Sequence, residues 1–223
     1  MRWTGSEMSF LRSLLLILIF RPLALFMTGA DVANRERLPL KGPAIIAANH
    51  SSHVDTLLML AIFPSKALRR LRPAAAADYF LRDPVIGWFS RRVIGIVPVA
   101  RAKAGSGEDV LAPAREALAA GDIVLVFPEG TRGEGETDEM GRLKSGVARL
   151  AEAFPDAPVI PVWIQGAGRV LPKGEVVPVP LNCAVLVGEA LHWEGSRPAF
   201  MDTLRTALLA LKAEAPPLRW RDG

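Results

Sequence analysis

Apolar and polar positions along this chain fall into blocks that read alternately as strands and helices. The first apolar block, residues 10–27, is the longest, with its densest part at 14–20. A membrane-spanning helix needs roughly 20 apolar residues. Here Arg12 lies near the start, and Arg21-Pro22 interrupts the run after only eight uncharged residues. Arg21-Pro22 is also misplaced for a cleaved signal peptide, and Thr28-Gly29-Ala30 is a poor cleavage site. The pattern predicts a helix, or a broken pair of helices, lying in or dipping into one leaflet with arginines reaching the headgroups. An ordinary N-terminal helix packed on the core is the other reading.

After a polar link at 31–37 and a turn-rich stretch at 38–43, residues 44–48 form a short apolar run bounded by turn signals, a buried strand. The polar stretch from Asn49 through His50, Ser51, Ser52 and His53 to Asp55 follows, then a helix-like apolar run at 56–63. A second strand is expected within 73–79, a helix carrying Trp88 and Phe89 at 84–90, and another strand at 93–99 that leads to Arg101. Over 108–120, Val110, Leu111, Ala114, Ala117 and Leu118 share one helical face, with Gly121 as the cap. Residues 123–127 are the clearest buried strand and run straight into Pro128-Glu129-Gly130-Thr131-Arg132-Gly133. An acidic stretch, a helix at 144–154, strands at 158–163 and 184–187, and a closing helix at 201–213 complete the chain. Such alternation implies an α/β fold, a central largely parallel or mixed sheet flanked by helices. The expected organisation is an N-terminal membrane-associated helical segment (1–37), an α/β domain (38–215) and a flexible tail (216–223).

Composition sharpens this in three ways. Half of the 223 residues are apolar and the mean hydropathy is +0.25, which favours membrane contact. A single cysteine excludes an internal disulfide, and three histidines without H-E-x-x-H or C-x-x-C spacing give no zinc signature. Cys183, beside an apolar strand, reads as core, and His192 as structural. Charge is uneven: 15 Lys/Arg against 6 Asp/Glu through Lys103, and 12 against 17 after it. The basic half is also the apolar half and lacks the interleaved aromatics of a single-strand nucleic-acid binder. An anionic membrane surface or a phosphate-bearing substrate fits it better than nucleic acid, with 66–72 and Arg91-Arg92 as the basic surface or as a merely solvated face.

Three segments carry candidate chemistry. His50 and Asp55 would stand about 140° apart on a helix and would not meet. In a loop between strand and helix they can fold together, the carboxylate fixing the imidazole so that its other nitrogen accepts a proton. A loop histidine with a helix-capping aspartate accounts for the spacing equally; His53 is a rival base, and Ser51 and Ser52 are caps or weak nucleophiles. Glu129, Gly130, Thr131 and Arg132 follow a strand into a glycine turn, an oxyanion or phosphate cradle in which Glu129 would hold a cation or meet a polar substrate group. Arg101 follows a third strand. In open α/β sheets ligands bind at the carboxyl ends of strands, so the three segments can converge on one edge.

These residues resemble the 1-acylglycerol-3-phosphate (lysophosphatidic acid) acyltransferase family. Its N-H-x-S-x-x-D motif is matched by Asn49, His50, Ser52 and Asp55; its glycine-started strand ending in Arg by Gly95 and Arg101; F-P-E-G-T-R by residues 127–132; and V-I-P-V by 159–162. The F-K-x-G stretch reads Leu143-Lys144-Ser145-Gly146 here. His53 stands at a variable, often aromatic or apolar position, Pro98 lies inside the second motif's strand, and Leu143 replaces the common phenylalanine, three departures from the pattern. The resemblance implies an α/β sandwich with an N-terminal membrane-binding helical pair, His50 as general base and Asp55 as its orienting partner. It further implies an acceptor phosphate held by Arg101, Glu129, Gly130, Thr131 and Arg132, and a strand around Pro161 that helps form the acyl site. The implied reaction moves a fatty acyl group from acyl-CoA or an acyl carrier protein to a lysophospholipid hydroxyl, most directly 1-acylglycerol 3-phosphate to give phosphatidic acid. No metal or cofactor is implied, and the location would be the cytoplasmic face of the cell membrane. Another lysolipid, such as lyso-ornithine lipid, is the alternative acceptor. A lipid hydrolase using Ser51 or Ser52, without a G-x-S-x-G elbow, or a non-catalytic membrane-binding module are the alternatives of another class.

Overall fold

Every residue of strand β2 (Ala44–Ala48) is buried, because the strand lies at the middle of the sheet with helices on both faces. Its side chains alternate between two cores: Ala44, Ile46 and Ala48 on one face, Ile45 and Ala47 on the other. The computed structural model describes residues 14–52, 54–76, 87–88, 90–99, 109–130, 140–171 and 177–217. With β1 (Asp31–Ala33), β3 (Leu71–Ala76), β4 (Val97–Val99), β5 (Ile123–Val126), β6 (Val159–Gln165) and β7 (Ala184–Val187), β2 forms a seven-stranded sheet in the order β1-β7-β6-β2-β5-β3-β4. All neighbours are parallel except β6 and β7, so the sheet is mixed, as the alternation of blocks predicts.

One face is covered by α1 (Arg21–Thr28), α2 (Val54–Ile62) and the short α5 (Ala167–Val170). The other is covered by α3 (Ala112–Ala119), α4 (Gly146–Ala153) and the long α6 (Arg197–Glu214). Two prolines lie within strands without disrupting the sheet. Pro98 is in β4, the edge strand, where proline is tolerated. Pro161 is where the β6–β7 ladder ends: Val162 pairs with Val187, and beyond it Gly188 N–H donates to Pro161 O at 2.9 Å with no return donor needed.

Several sequence expectations shift. The polar link at 31–37 contains strand β1, which pairs with β7; three residues with exposed ends leave no apolar signature. The strand expected at 93–99 is reduced to β4, because Ser90–Ile94 forms a helical turn that Gly95 ends at φ 78°. Helix α6 begins at Arg197 rather than 201, since Ser196 caps it by accepting the Ala199 N–H and Pro198 suits a first turn. Most of the expected 84–90 helix lies outside the described residues. Within the basic run, Arg70 donates to Gly121 O at 3.1 Å and Arg72 pairs with Asp122 at 2.8 Å, so two of its cations also make contacts within the fold.

The N-terminal block does not break at Arg21-Pro22. A helical turn at Leu16–Phe20, from which Arg21 N–H reaches back to Leu16 O, runs directly into α1 with Pro22 near its start. Arg21 turns inward to donate to Ser65 Oγ at 3.1 Å; burial, and after it the charge of Arg35, pulls its guanidinium below the usual arginine range. Leu16, Ala24 and Thr28 are buried on the α2 side, while Leu18, Ile19, Leu23 and Phe26 (79% exposed) face outward. Among the described residues no helix is long and apolar enough to cross a membrane.

Candidate active site

The carboxyl ends of β2 and β5 deliver two loops to one edge of the sheet. At the exit of β2, Asn49 uses its side chain as a strand would use its backbone. Its Oδ1 accepts the Ile164 N–H at 2.6 Å, and its Nδ2 donates to Ile164 O at 2.8 Å. The ladder to β6 is thereby extended and the direction in which His50 leaves the sheet is fixed.

Helix α2 begins at Val54, two residues earlier than its apolar run suggests, so Asp55 lies in the first turn rather than in the loop. The loop folds back over that turn. Asp55 is fully buried, and its Oδ2 accepts the N–H groups of Ser51 (2.7 Å) and Ser52 (2.8 Å) and faces His50 Nδ1 at 2.9 Å. A carboxylate has only lone pairs to offer, so Nδ1 carries the proton and Nε2 is left with the basic lone pair. Thus the spacing that forbids contact on a helix is what a loop closing over a helix N-terminus requires. Asp55 is therefore not a cap: it gathers the N–H groups of the loop that leads into the helix, and the same oxygen lies against the His50 ring.

The second loop locks the first. Glu129, only 6% exposed, accepts the His50 N–H through Oε1 at 3.0 Å and the Gly141 N–H through Oε2 at 2.8 Å. Glu129 was expected in the phosphate cradle. Its two oxygens instead join three chain segments, which removes the anomaly of a carboxylate facing an anion. Phe127 stacks on the His50 ring, centroids 4.2 Å apart and planes 21° from parallel. The imidazole is therefore held at an edge by Asp55, on a face by Phe127 and through its backbone by Glu129.

The serines have orienting tasks. Ser52 is fully buried; its Oγ donates to Leu171 O at 2.9 Å and accepts the Val54 N–H at 3.3 Å. Ser51 is tied to Asp55 by its N–H, and Gly168 of α5 lies against its side chain. Neither has the arrangement of a nucleophile activated by His50. His53, Arg101, Thr131 and Arg132 lie outside the described residues, although β4, which leads to Arg101, ends on the same edge. Phe127 stood in the sequence as part of the F-P-E-G-T-R match, and Gly141 only as a glycine twelve residues beyond Glu129, so the contacts of Phe127 with His50 and of Gly141 with Glu129 come from the folded structure. Cys183 is buried, as its apolar setting predicts, and His192 is exposed.

Among the described residues a histidine is held against a buried carboxylate, an arrangement compatible with a base acting directly on a substrate hydroxyl. The Acyltransferase family model matches residues 29–165, a span that includes Asn49, His50, Asp55, Phe127 and Glu129, and the chain belongs to that family. It is 31% identical over 145 residues to a chloroplastic 1-acyl-sn-glycerol-3-phosphate acyltransferase of Brassica napus, covering 65% of this chain and 39% of that protein. It is 30% identical over 171 residues to the 1-acyl-sn-glycerol-3-phosphate acyltransferase of Pseudomonas aeruginosa, covering 75% and 61%. The chain thus spans less than two thirds of either relative's length. The crystal structure of the 1-acyl-sn-glycerophosphate acyltransferase PlsC from Thermotoga maritima shares the fold, with a TM-score of 0.72 over 97% of this chain and 86% of that one, at 22% identity.

Proposed function

We propose that this chain transfers a fatty acyl group from a thioester, acyl-CoA or acyl carrier protein, to the free hydroxyl of 1-acylglycerol 3-phosphate, giving phosphatidic acid. The observation that carries the proposal is the 2.9 Å His50 Nδ1–Asp55 Oδ2 contact on a fully buried carboxylate. In the proposed step His50 Nε2 takes the acceptor's hydroxyl proton as its oxygen attacks the thioester carbon. The tetrahedral adduct then expels the thiolate, which leaves as a thiol with the proton from His50. Nothing is oxidised or reduced, and the two substrates close the balance. Arg101, Gly130, Thr131 and Arg132 are proposed to hold the acceptor phosphate, with Glu129 positioning the loops rather than touching it. The similarity to enzymes named for this acceptor supports it over other lysolipids.

The test is a purified assay with lysophosphatidic acid and other lysolipids against both thioester donors. Phosphatidic acid should form, and His50→Ala should lower the rate by about 10²–10⁴-fold, the usual contribution of a general base. A His50→Ala protein with near-normal turnover would sink the assignment, and acyl release without acceptor would favour a hydrolase.

The same reading puts the enzyme on the cytoplasmic face of the membrane through the outward side of α1. Leu18, Ile19, Leu23 and Phe26 are joined by the exposed Val177 and Val179 on the segment that hydrogen-bonds to α1 and α5 (Leu181 N to Met27 O, 3.1 Å; Val179 N to Val170 O, 2.8 Å). Large apolar side chains left exposed on one helical segment and on the segment bonded to it are the kind of surface that supports an interaction site. Leu23→Glu with Phe26→Glu should weaken sedimentation with phosphatidylglycerol–phosphatidylcholine vesicles by about tenfold or more per residue. Unchanged sedimentation would remove α1 from the docking surface.

A further inference from the structure

The structure brings Lys144 to the active edge, and nothing in the site described so far uses it. The segment before α4 is fastened to the Glu129 turn at two points: Gly141 N–H donates to Glu129 Oε2 at 2.8 Å, and Lys144 N–H donates to Pro128 O at 2.8 Å. So fastened, the Lys144 side chain lies across the α-carbon of Gly130. A Cβ built on Gly130 would come within 2.5 Å of Lys144 Nζ and 2.9 Å of both Cδ and Cε. Gly130 also has φ +69°, a backbone conformation that favours glycine whatever the lysine does. The side chain is exposed, yet its last three heavy atoms lie against the turn. Among the described residues Lys144 makes no ion pair with a carboxylate, whereas Arg72, Arg115 and Arg197 each do.

Gly130 adjoins Glu129, and Glu129 holds the backbone of His50. An ammonium with no acidic partner among the described residues thus lies against the turn that adjoins the Glu129 clamp on His50. In the proposed acceptor the reacting hydroxyl and the phosphate are on adjacent glycerol carbons, so a phosphate whose hydroxyl meets His50 has this turn and its cation beside it. We infer that Lys144 binds the phosphate monoester of the acceptor and so selects phosphate-bearing lysolipids. This rests on the acyltransferase reading but on different residues from those proposed for the phosphate from sequence.

The test compares lysophosphatidic acid with 1-monoacylglycerol, which has the hydroxyl but not the phosphate. Lys144→Met should raise KM for lysophosphatidic acid by about 10- to 100-fold, the range for losing a charge-assisted hydrogen bond, with kcat changed little. Turnover of monoacylglycerol should not change, and Lys144→Arg should restore most of the affinity. An equal fall in kcat for both acceptors with KM unchanged would overturn the assignment, as would no effect on either. Binding of a short-chain lysophosphatidic acid to the His50→Ala protein, with and without Lys144→Met, separates this from the parent reading. If the wild-type chain transfers no acyl group, that reading falls alone, and the binding comparison decides Lys144: a 10- to 100-fold weaker association supports it, and equal affinity refutes it.

Discussion

The two ends of the sheet use charge in opposite ways. At the amino ends of β3 and β5, Arg72 meets Asp122 at 2.8 Å and Arg70 caps the Gly121 carbonyl, while Gly42 fits so closely against the carbonyls of Gly121 and Asp122 that a Cβ would come within 2.5 Å of each. Each charge there finds its complement in the protein. At the carboxyl ends of β2 and β5 the two carboxylates, Asp55 and Glu129, are more deeply buried and are satisfied by backbone N–H groups and one imidazole. Among the described residues His50 Nε2 and the Lys144 ammonium have no protein partner. The charges named at one end are paired within the protein, and at the other a ring nitrogen and an ammonium are left for the proposed substrate. Burying a carboxylate is tolerated only when donors surround it, and at this edge the buried carboxylates also fix the place of one histidine.

The comparison is most sharply tested at Asp55, where the largest effect is expected. Asp55→Ala removes the acceptor of two backbone N–H groups in a fully buried site, and each unsatisfied group costs about 1–3 kcal/mol. That variant should lose several degrees of thermal stability as well as activity. Asp55→Asn separates shape from charge. All three donors converge on Oδ2, so an amide oxygen in that place still accepts from Ser51, Ser52 and His50 Nδ1, and the melting temperature should fall little. The negative charge that would stabilise the imidazolium is gone, however, and the rate should drop about 10²–10⁴-fold if the pair acts as base and orienter. An Asn variant that keeps both its rate and its stability would mean that the Asp55 charge has no part in the chemistry.

How much of this could be read from the chain depends on whether the cause is local. Strands β2, β5, β6 and β7 are apolar runs buried on both faces, and such runs are visible in one dimension. β1 is not, since its three residues are held by pairing with β7, far away in sequence. His50 and Asp55 were legible as residues, but the spacing left their contact undecided until the start of α2 at Val54 placed Asp55 under the loop. Glu129 shows the limit most clearly. A carboxylate in an anion cradle looked wrong from sequence, and the explanation, two backbone amides 79 residues before and 12 after, is entirely tertiary. Lys144 was hidden for the same reason, because only the folded turn shows that its side chain crosses Gly130. The arginines of the basic run show the converse: a cluster of cations reads as a surface for a partner, and no local feature reveals that two of them also contact Asp122 and the Gly121 carbonyl.

The smallest effect is expected at the paired end, and it carries the contrast as much as the largest does. The Arg72 and Asp122 side chains are 30% and 16% exposed, so water screens part of their attraction. Arg72→Ala, Asp122→Ala and the double variant should each shift stability by about 0.5–1 kcal/mol, with a coupling between the two sites of similar size in a double-mutant cycle. Acyl transfer and acceptor KM should stay within about twofold, because nothing links this pair to His50 except the length of β5 and the rigid sheet. Salt should reduce the coupling, since the pair is part-exposed, while leaving the Asp55 variants unchanged relative to wild type. A tenfold loss of turnover in Arg72→Ala, with stability nearly intact, would show that the basic run touches substrate or membrane after all. The division of the sheet into a structural end and a chemical end would then be wrong.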